Sequence, residues 1–257
     1  MFRLPVSQLA VELRPYTGAE DVLLLESRDH EVRRSLALVH RLAQRCDGEA
    51  LDAGSLPLPD VEALLLELRR TLLGDVLHAK ADCPARECGE RTDIAFSIGD
   101  YLAHHRPRVP RNKLVRKESG WFGLPQSDVE FRLVTAGDLI EAIDSANPKS
   151  ALAQRTIRPA SVSRNDVNRV QRIMDSLSPS LSQEVQKKCA KCGEWVRLFF
   201  NVHSYVQREL AFEAAFLYQD VHVLATRYHW SEEKILSLPR ARRLQYAEMA
   251  LAAGGVN

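Results

Sequence analysis

Five cysteines occur in the chain, and four of them form two close pairs. Cys189-Ala190-Lys191-Cys192-Gly193 places two thiols two residues apart with a glycine directly after them. Such a stretch turns back on itself and aims both sulfurs the same way, because glycine tolerates the positive φ that the turn needs. That is half of a tetrahedral thiolate site for zinc. The other half lies well upstream, at Cys83-Pro84-Ala85-Arg86-Glu87-Cys88-Gly89, with four residues between the thiols. Both stretches end in Cys-Gly-Glu. Each runs into alternating apolar sequence, Ile94, Phe96 and Ile98 after the first and Val196, Leu198 and Phe200 after the second. The pattern predicts one structural zinc ion held by Cys83, Cys88, Cys189 and Cys192. Four thiolates close such a site and leave no position for a catalytic water, so its effect would be to clamp distant parts of the chain together.

Two other readings compete for these residues. The pairs could be packing cysteines. Cys189 and Cys192 could also form a redox pair, although a Lys-rich hairpin lacks the strand-to-helix setting that activates such a thiol. Cys46, before Asp47-Gly48, reads as a buried or inert thiol. The histidines form no constellation. His222 and His229 share a helical spacing, His104-His105 sit in a basic stretch, and His203 follows the second cysteine pair as a less favoured ligand. Nucleophile-elbow, P-loop and dinucleotide-binding patterns are absent from the sequence, so no catalytic residue is assigned and no small-molecule substrate is expected.

The elements that must position the thiols follow from periodicity. An amphipathic helix is expected over 30–45, with Val32, Leu36, Val39 and Ala43 on its apolar stripe. Asp60 reads as the cap of a strong helix from Val61 to Leu73, stopped by Gly74. Strands are expected at Val76–Ala81 and Thr92–Ile98 around the first cysteine pair, and arms at 182–188 and 194–200 around the second. A short helix from Tyr101 to His105, a strand through Val129, Phe131 and Leu133, and a helix capped by Thr135 with Asp138 lie between. Helices at 150–157 and over Val167–Leu177 follow. Val202–Tyr228, with neither Gly nor Pro, reads as one long helix, followed by a short helix to Leu236 and a last helix from Pro239 to Leu251. The expected class is α+β, predominantly α-helical, with two short cysteine β-hairpins joined as a split zinc-ribbon-like unit.

Lys and Arg number 35 against 34 Asp and Glu, a formal net charge of +1. That balance removes a whole-molecule electrostatic argument for DNA or membranes. No apolar run is long enough for a membrane span, and Met1-Phe2-Arg3-Leu4-Pro5 does not open a signal peptide, so a cytoplasmic protein with reduced thiols is expected. One local exception stands out. Residues 104–117 carry six fixed positive charges and no acid, and Trp121-Phe122 follow. This basic loop could be a solvated linker, a dock for an acidic protein face, or a nucleic-acid contact through phosphates and stacking.

Several segments together resemble a known family. Leu56-Pro57-Leu58-Pro59-Asp60 leads into the Leu-rich helix and first knuckle. Phe131-Arg132-Leu133-Val134-Thr135-Ala136-Gly137-Asp138-Leu139 follows, then the second knuckle. The run Asp220-Val221-His222-Val223-Leu224-Ala225, Tyr228-His229-Trp230-Ser231-Glu232 and Leu238-Pro239-Arg240-Ala241-Arg242-Arg243 is the most specific part. This order is similar to the T-even-phage baseplate-hub assembly family, found with contractile phage tails and extracellular contractile injection systems. The resemblance implies a non-enzymatic chaperone or structural component whose partners are baseplate, hub or tail proteins, and incorporation into an assembled particle. A zinc-ribbon nucleic-acid-binding regulator using 104–117 is the alternative. Expected parts are an N-terminal helical part over 1–74, a knuckle region over 75–200 with a basic loop inserted at 104–127, and a C-terminal helical part over 201–257.

Overall fold

The computed structural model describes residues 1–108 and 114–254. About 49% of the chain is helix and 20% strand, a mixed fold in which helix predominates.

Strands β1 (Phe2–Arg3) and β2 (Ala10–Leu13) pair antiparallel. Helix α1 (Gly18–Glu26) starts where the Thr17 amide donates to the Glu20 carboxylate at 3.0 Å. In α2 (Glu31–Leu42), Val32, Leu38, Val39 and Leu42 are buried. The helix expected to 45 stops at Leu42, because β3 (Ala43–Arg45) pairs with β2 and completes a three-stranded sheet. The Cys46 amide continues that pairing to the Ala10 carbonyl, and its side chain is exposed rather than buried.

Helix α3 (Leu58–Leu73) is apolar on more than one side and lies in the core, with Val61, Leu65 and Leu66 fully buried. Asp60 does not cap it. Pro57 precedes the first turn, and Asp60 lies inside that turn, where its two oxygens accept the Val6 and Ser7 amides at 2.8 Å each. A cap-type residue has here been used across the fold, on the turn between β1 and β2.

The ribbon of β4 (Val76–Asp82) and β5 (Arg91–Ser97) leads into α4 (Ile98–His104), capped by Ser97. The stretch expected as loop from 104 to 127 contains two strands, β6 (Val115–Arg116) and β7 (Trp121–Gly123), with Gly120 at φ +77 between them. Next come β8 (Glu130–Arg132), α5 (Ala136–Ile143), α6 (Pro148–Thr156) and β9 (Ile157–Arg158). The Thr135–Asp138 capping box opens α5 as the sequence predicts. Strands β6-β7-β8-β9 form a four-stranded sheet, and Phe131 on it packs with Val170 of α7 (Arg164–Leu177).

A second ribbon, β10 (Gln183–Lys188) and β11 (Trp195–Phe200), precedes the C-terminal helices. The long helix expected over 202–228 is two helices, α8 (Val202–Glu213) and α9 (Leu217–Tyr228). No breaker residue marks the turn. Tertiary packing accounts for it: α8 buries Val206 and Leu210 in the main core, whereas α9 buries Leu224 against α10 (Glu232–Leu236) and α11 (Arg240–Gly254). Tyr228 and Trp230 stack at 5.0 Å beside Tyr246 in that smaller core, so they serve packing between these helices.

Arg240 and Arg243, at the start of α11, reach back to α1. Arg240 pairs with Asp21, and Arg243 contacts Asp21 at 2.7 Å and Asp220 at 3.3 Å. Asp21 and Arg243 are essentially out of solvent, at 0% and 1% exposure. Cations opening a helix oppose its dipole; here the two buried carboxylates offset that cost. Among the described residues, no helix is long and apolar enough to cross a membrane.

Candidate metal centre

The tips of the two ribbons meet. Sulfurs of Cys83 and Cys192 lie 3.5 Å apart, and those of Cys88 and Cys189 lie 3.7 Å apart. All four Sγ atoms fall within 4.8 Å of one another. A tetrahedral thiolate site with metal–sulfur bonds of about 2.3 Å has its sulfurs about 3.8 Å apart. The donor set therefore fits a soft tetrahedral cation and could hold a metal ion. Cys88 and Cys189 are buried, and Cys192 is exposed at the outer corner.

Local sequence explains the match of two unequal loops. In the first, the Cys83 amide donates to the Glu90 carbonyl at 2.9 Å; in the second, the Cys189 amide donates to the Glu194 carbonyl at 2.8 Å. Each closure uses a glycine at positive φ, Gly89 at +61 and Gly193 at +77. Adding a side chain there would strain the turn. The two extra residues of the first loop are taken up in its outer part, where the Cys88 amide donates to the Ala85 carbonyl at 3.0 Å. The wider spacing thus leaves the closing geometry alike.

Backbone amides also face the sulfurs. The Cys192 amide, opposed by burial and joined by that of Lys191, pulls the Cys189 thiol down to about 6. At Cys83 the Ala85 amide acts in the same direction, but burial and the three neighbouring thiols push it up to about 12. The Glu90 amide likewise fails to offset the raising of Cys88 by burial and by Cys192 and Cys189. Cys189 is pulled down while Cys83 and Cys88 are pushed up, a conflict that a central cation would resolve.

The ribbons are joined along their length as well. Val196, fully buried, packs with Cys88 and Cys189. Lys191 Nζ donates to the Cys88 carbonyl at 2.8 Å, and Lys187 Nζ to the Asp93 carbonyl at 2.7 Å. At the base, Phe96 and Phe200 meet edge to face at 5.3 Å, with Tyr101 and Tyr205 against Phe200. The Tyr205 hydroxyl donates to the His78 carbonyl at 2.8 Å. The sulfur cluster is therefore one end of a joint whose other end is aromatic and belongs to the main core.

The remaining candidates fall elsewhere. His203 is buried between α8 and α2, its Nδ1 2.9 Å from Ser35 Oγ, and its Nε2 has no hydrogen-bond partner among the described residues. Burial pushes it down to about 4. His222 and His229 are exposed. Of the basic loop, residues 109–113, including Arg111 and Lys113, lie outside the described residues. The aromatic pair after it is engaged. Arg158 lies 3.9 Å over the Trp121 ring, and Phe122 stacks on Phe131 at 5.5 Å. This disfavours the nucleic-acid reading, which needs free rings for base stacking. The sequence reading missed the buried Asp21–Arg240–Arg243 cluster and the Glu62 carboxylate, which accepts the Leu181 amide at 2.9 Å. The available signal for Glu62 was a carboxylate set directly among Val61, Ala63, Leu64, Leu65 and Leu66.

No curated protein and no solved structure matches the chain. Residues 1–158 match the family model described as T4 bacteriophage base plate protein. That stretch holds most of the main core, the first cysteine knuckle and the four-stranded sheet, and on it the chain belongs to the T4 bacteriophage base plate protein family.

Proposed function

We propose that this chain is a non-enzymatic component or assembly factor of the baseplate of a contractile, phage-tail-like particle, built on a zinc-clamped pair of β-ribbons. Membership of the baseplate family over residues 1–158 carries the reading. Partners are then other baseplate, hub or tail proteins, and the chain acts by presenting surfaces to them. The four-sulfur cluster supports the clamp. Cys83, Cys88, Cys189 and Cys192 are its ligands, one zinc ion fills it, and the two ribbons act as a split zinc ribbon. Zinc suits the site because an all-thiolate tetrahedral donor set is that of a closed structural zinc. Bound there, it supplies crosslinking and not reaction chemistry.

The three-part division at 74 and 200 belongs to the same proposal. The clamp would hold the knuckle region, between the flanking helical parts, in one orientation. An affinity-tagged chain expressed with the rest of its particle tests the role. Co-purification with baseplate proteins is expected, and consistent failure to associate with any of them removes the reading.

A further inference from the structure

A cleft of about 660 Å³ opens between the N-terminal turn, α4 and the edge of the β6–β7 sheet. Arg3, Arg106, Arg108 and Arg116 line it together with Leu102 and Leu133, and among the described residues no carboxylate lines it. None of these four arginines forms an ion pair with a carboxylate among the described residues, whereas Arg70, also on the wall, is paired with Glu67 at 2.8 Å. Main-chain pairing anchors the backbone of two of the rim arginines. Arg108 donates its amide to the Ser176 carbonyl at 2.7 Å and accepts the Ser176 hydroxyl at 2.8 Å. Arg116 is held in the β6–β7 pairing opposite Phe122.

Four guanidiniums without carboxylate partners around a largely aliphatic floor repel one another, and an anionic occupant relieves that repulsion. The floor asks for apolar side chains on the same occupant. A volume of this size takes a few side chains, not a folded domain. We propose that this cleft docks an extended, acidic peptide segment carrying aliphatic side chains, contributed by another protein of the particle. The assignment of the partner rests on the baseplate reading; the peptide chemistry rests on the cleft alone. Carboxylates pair with the arginines in the fork geometry that guanidinium favours, and aliphatic side chains cover Leu102 and Leu133. Nucleic acid fits less well. The chain's net charge is only +1, Trp121 carries Arg158 over its ring, and Phe122, which lines the cleft with Phe2, already stacks on Phe131.

Selection from a random displayed-peptide library on the purified full-length chain tests this. Acidic sequences with interspersed Leu, Ile or Val are expected to enrich on the wild type, and not on the R106E/R116E double variant. Both substituted side chains are exposed, so the fold should tolerate them. A second variant, Ala103→Trp, fills the cleft without changing its charge. Binding of the enriched peptide, read by fluorescence polarisation, should weaken about tenfold or more in each variant. Absence of enrichment over the double variant overturns the proposal, as does a consensus without acids. Loss in R106E/R116E but not in Ala103→Trp also overturns it, because the attraction is then diffuse. A single-stranded oligonucleotide that displaces the peptide turns the cleft into a nucleic-acid site and defeats it too. Particle association is a separate readout. Association without peptide binding removes the cleft and leaves the baseplate reading, and peptide binding without association removes only the assigned partner.

Discussion

The sulfurs of Cys83 and Cys192 lie 3.5 Å apart although 109 positions separate them in the chain. Between them run one strand of each ribbon, a four-stranded sheet and four helices, so a bond through a shared metal would close a very long loop. Closing loops of that length constrains the unfolded chain strongly, and metal affinity adds directly to folding. The purified chain should carry about one zinc by elemental analysis, as one closed four-ligand site requires. Cys189→Ser should release it and lower stability by several kcal/mol, with a chelator reproducing the loss in the wild type. A metal-free chain that unfolds at the wild-type midpoint would end the clamp.

Asp21 is the second long-range tie, and it holds two largely buried guanidiniums. Replacing Asp21 by Ala leaves Arg240 and Arg243 buried with one carboxylate fewer. Breaking a buried pair in this way costs about 3–5 kcal/mol. Urea unfolding should show that loss, and limited proteolysis should begin in the segment from 217 onward. Gly18→Ala attacks the same place sterically, because its Cβ would lie 2.8 Å from Arg243 Nη1 and Leu236 Cδ2. A smaller loss, about 1–3 kcal/mol, is expected there. Wild-type stability in Asp21→Ala would mean that the arginines find other partners.

His203 gives the fold a dependence on acid. Burial holds its folded value near 4 against an ordinary 6.5. Between those values the unfolded chain binds the proton and the folded chain does not, so stability falls as pH falls through that window. The contribution is about 3 kcal/mol across it. Glu62, whose Oε1 lies 3.8 Å from His203 Nε2, is raised by burial and works in the opposite sense. The comparison that isolates His203 is therefore wild type against His203→Gln, which keeps Glu62 and a polar group beside Ser35. The difference in stability should slope between pH 6.5 and about 4; a flat difference profile would refute the assignment.

What could be read in the sequence was local. The cysteine pairs, the ribbon arms beside them, the Thr135–Asp138 cap and the helices α2, α3 and α7 all announce themselves within a few residues of chain. What could not be read depends on partners far away. Asp60 carries a capping residue's signal, but the amides it accepts belong to Val6 and Ser7. The turn at 214–216 has no Gly or Pro, because it is made by two helices packing into two different cores. Arg240 and Arg243 look like solvated charges until α1 brings Asp21 to them, 222 positions from Arg243. The sulfur cluster falls between these cases. Each pair is a local signal, whereas their meeting is a property of the fold that the shared Cys-Gly-Glu ending only hinted at.

Asp60 offers a test of that non-local kind. Its two oxygens take one amide each, and its burial, against the Ser7 and Val6 amides, raises its carboxyl. In Asp60→Asn one oxygen is replaced by a donor, which would face an amide that also donates. One of Val6 and Ser7 must then go unsatisfied in a part-buried place, at a cost of about 1 kcal/mol. Asp60→Ala leaves both unsatisfied and should cost more. Hydrogen exchange separates this from a helix-cap defect. The Val6 and Ser7 amides should exchange much faster in either variant, while the first-turn amides of α3 keep their protection. The reverse pattern would make Asp60 a cap after all. Because Phe2, Pro5 and Val6 also line the arginine cleft, both variants should weaken binding of an acidic peptide there although neither touches a lining side chain.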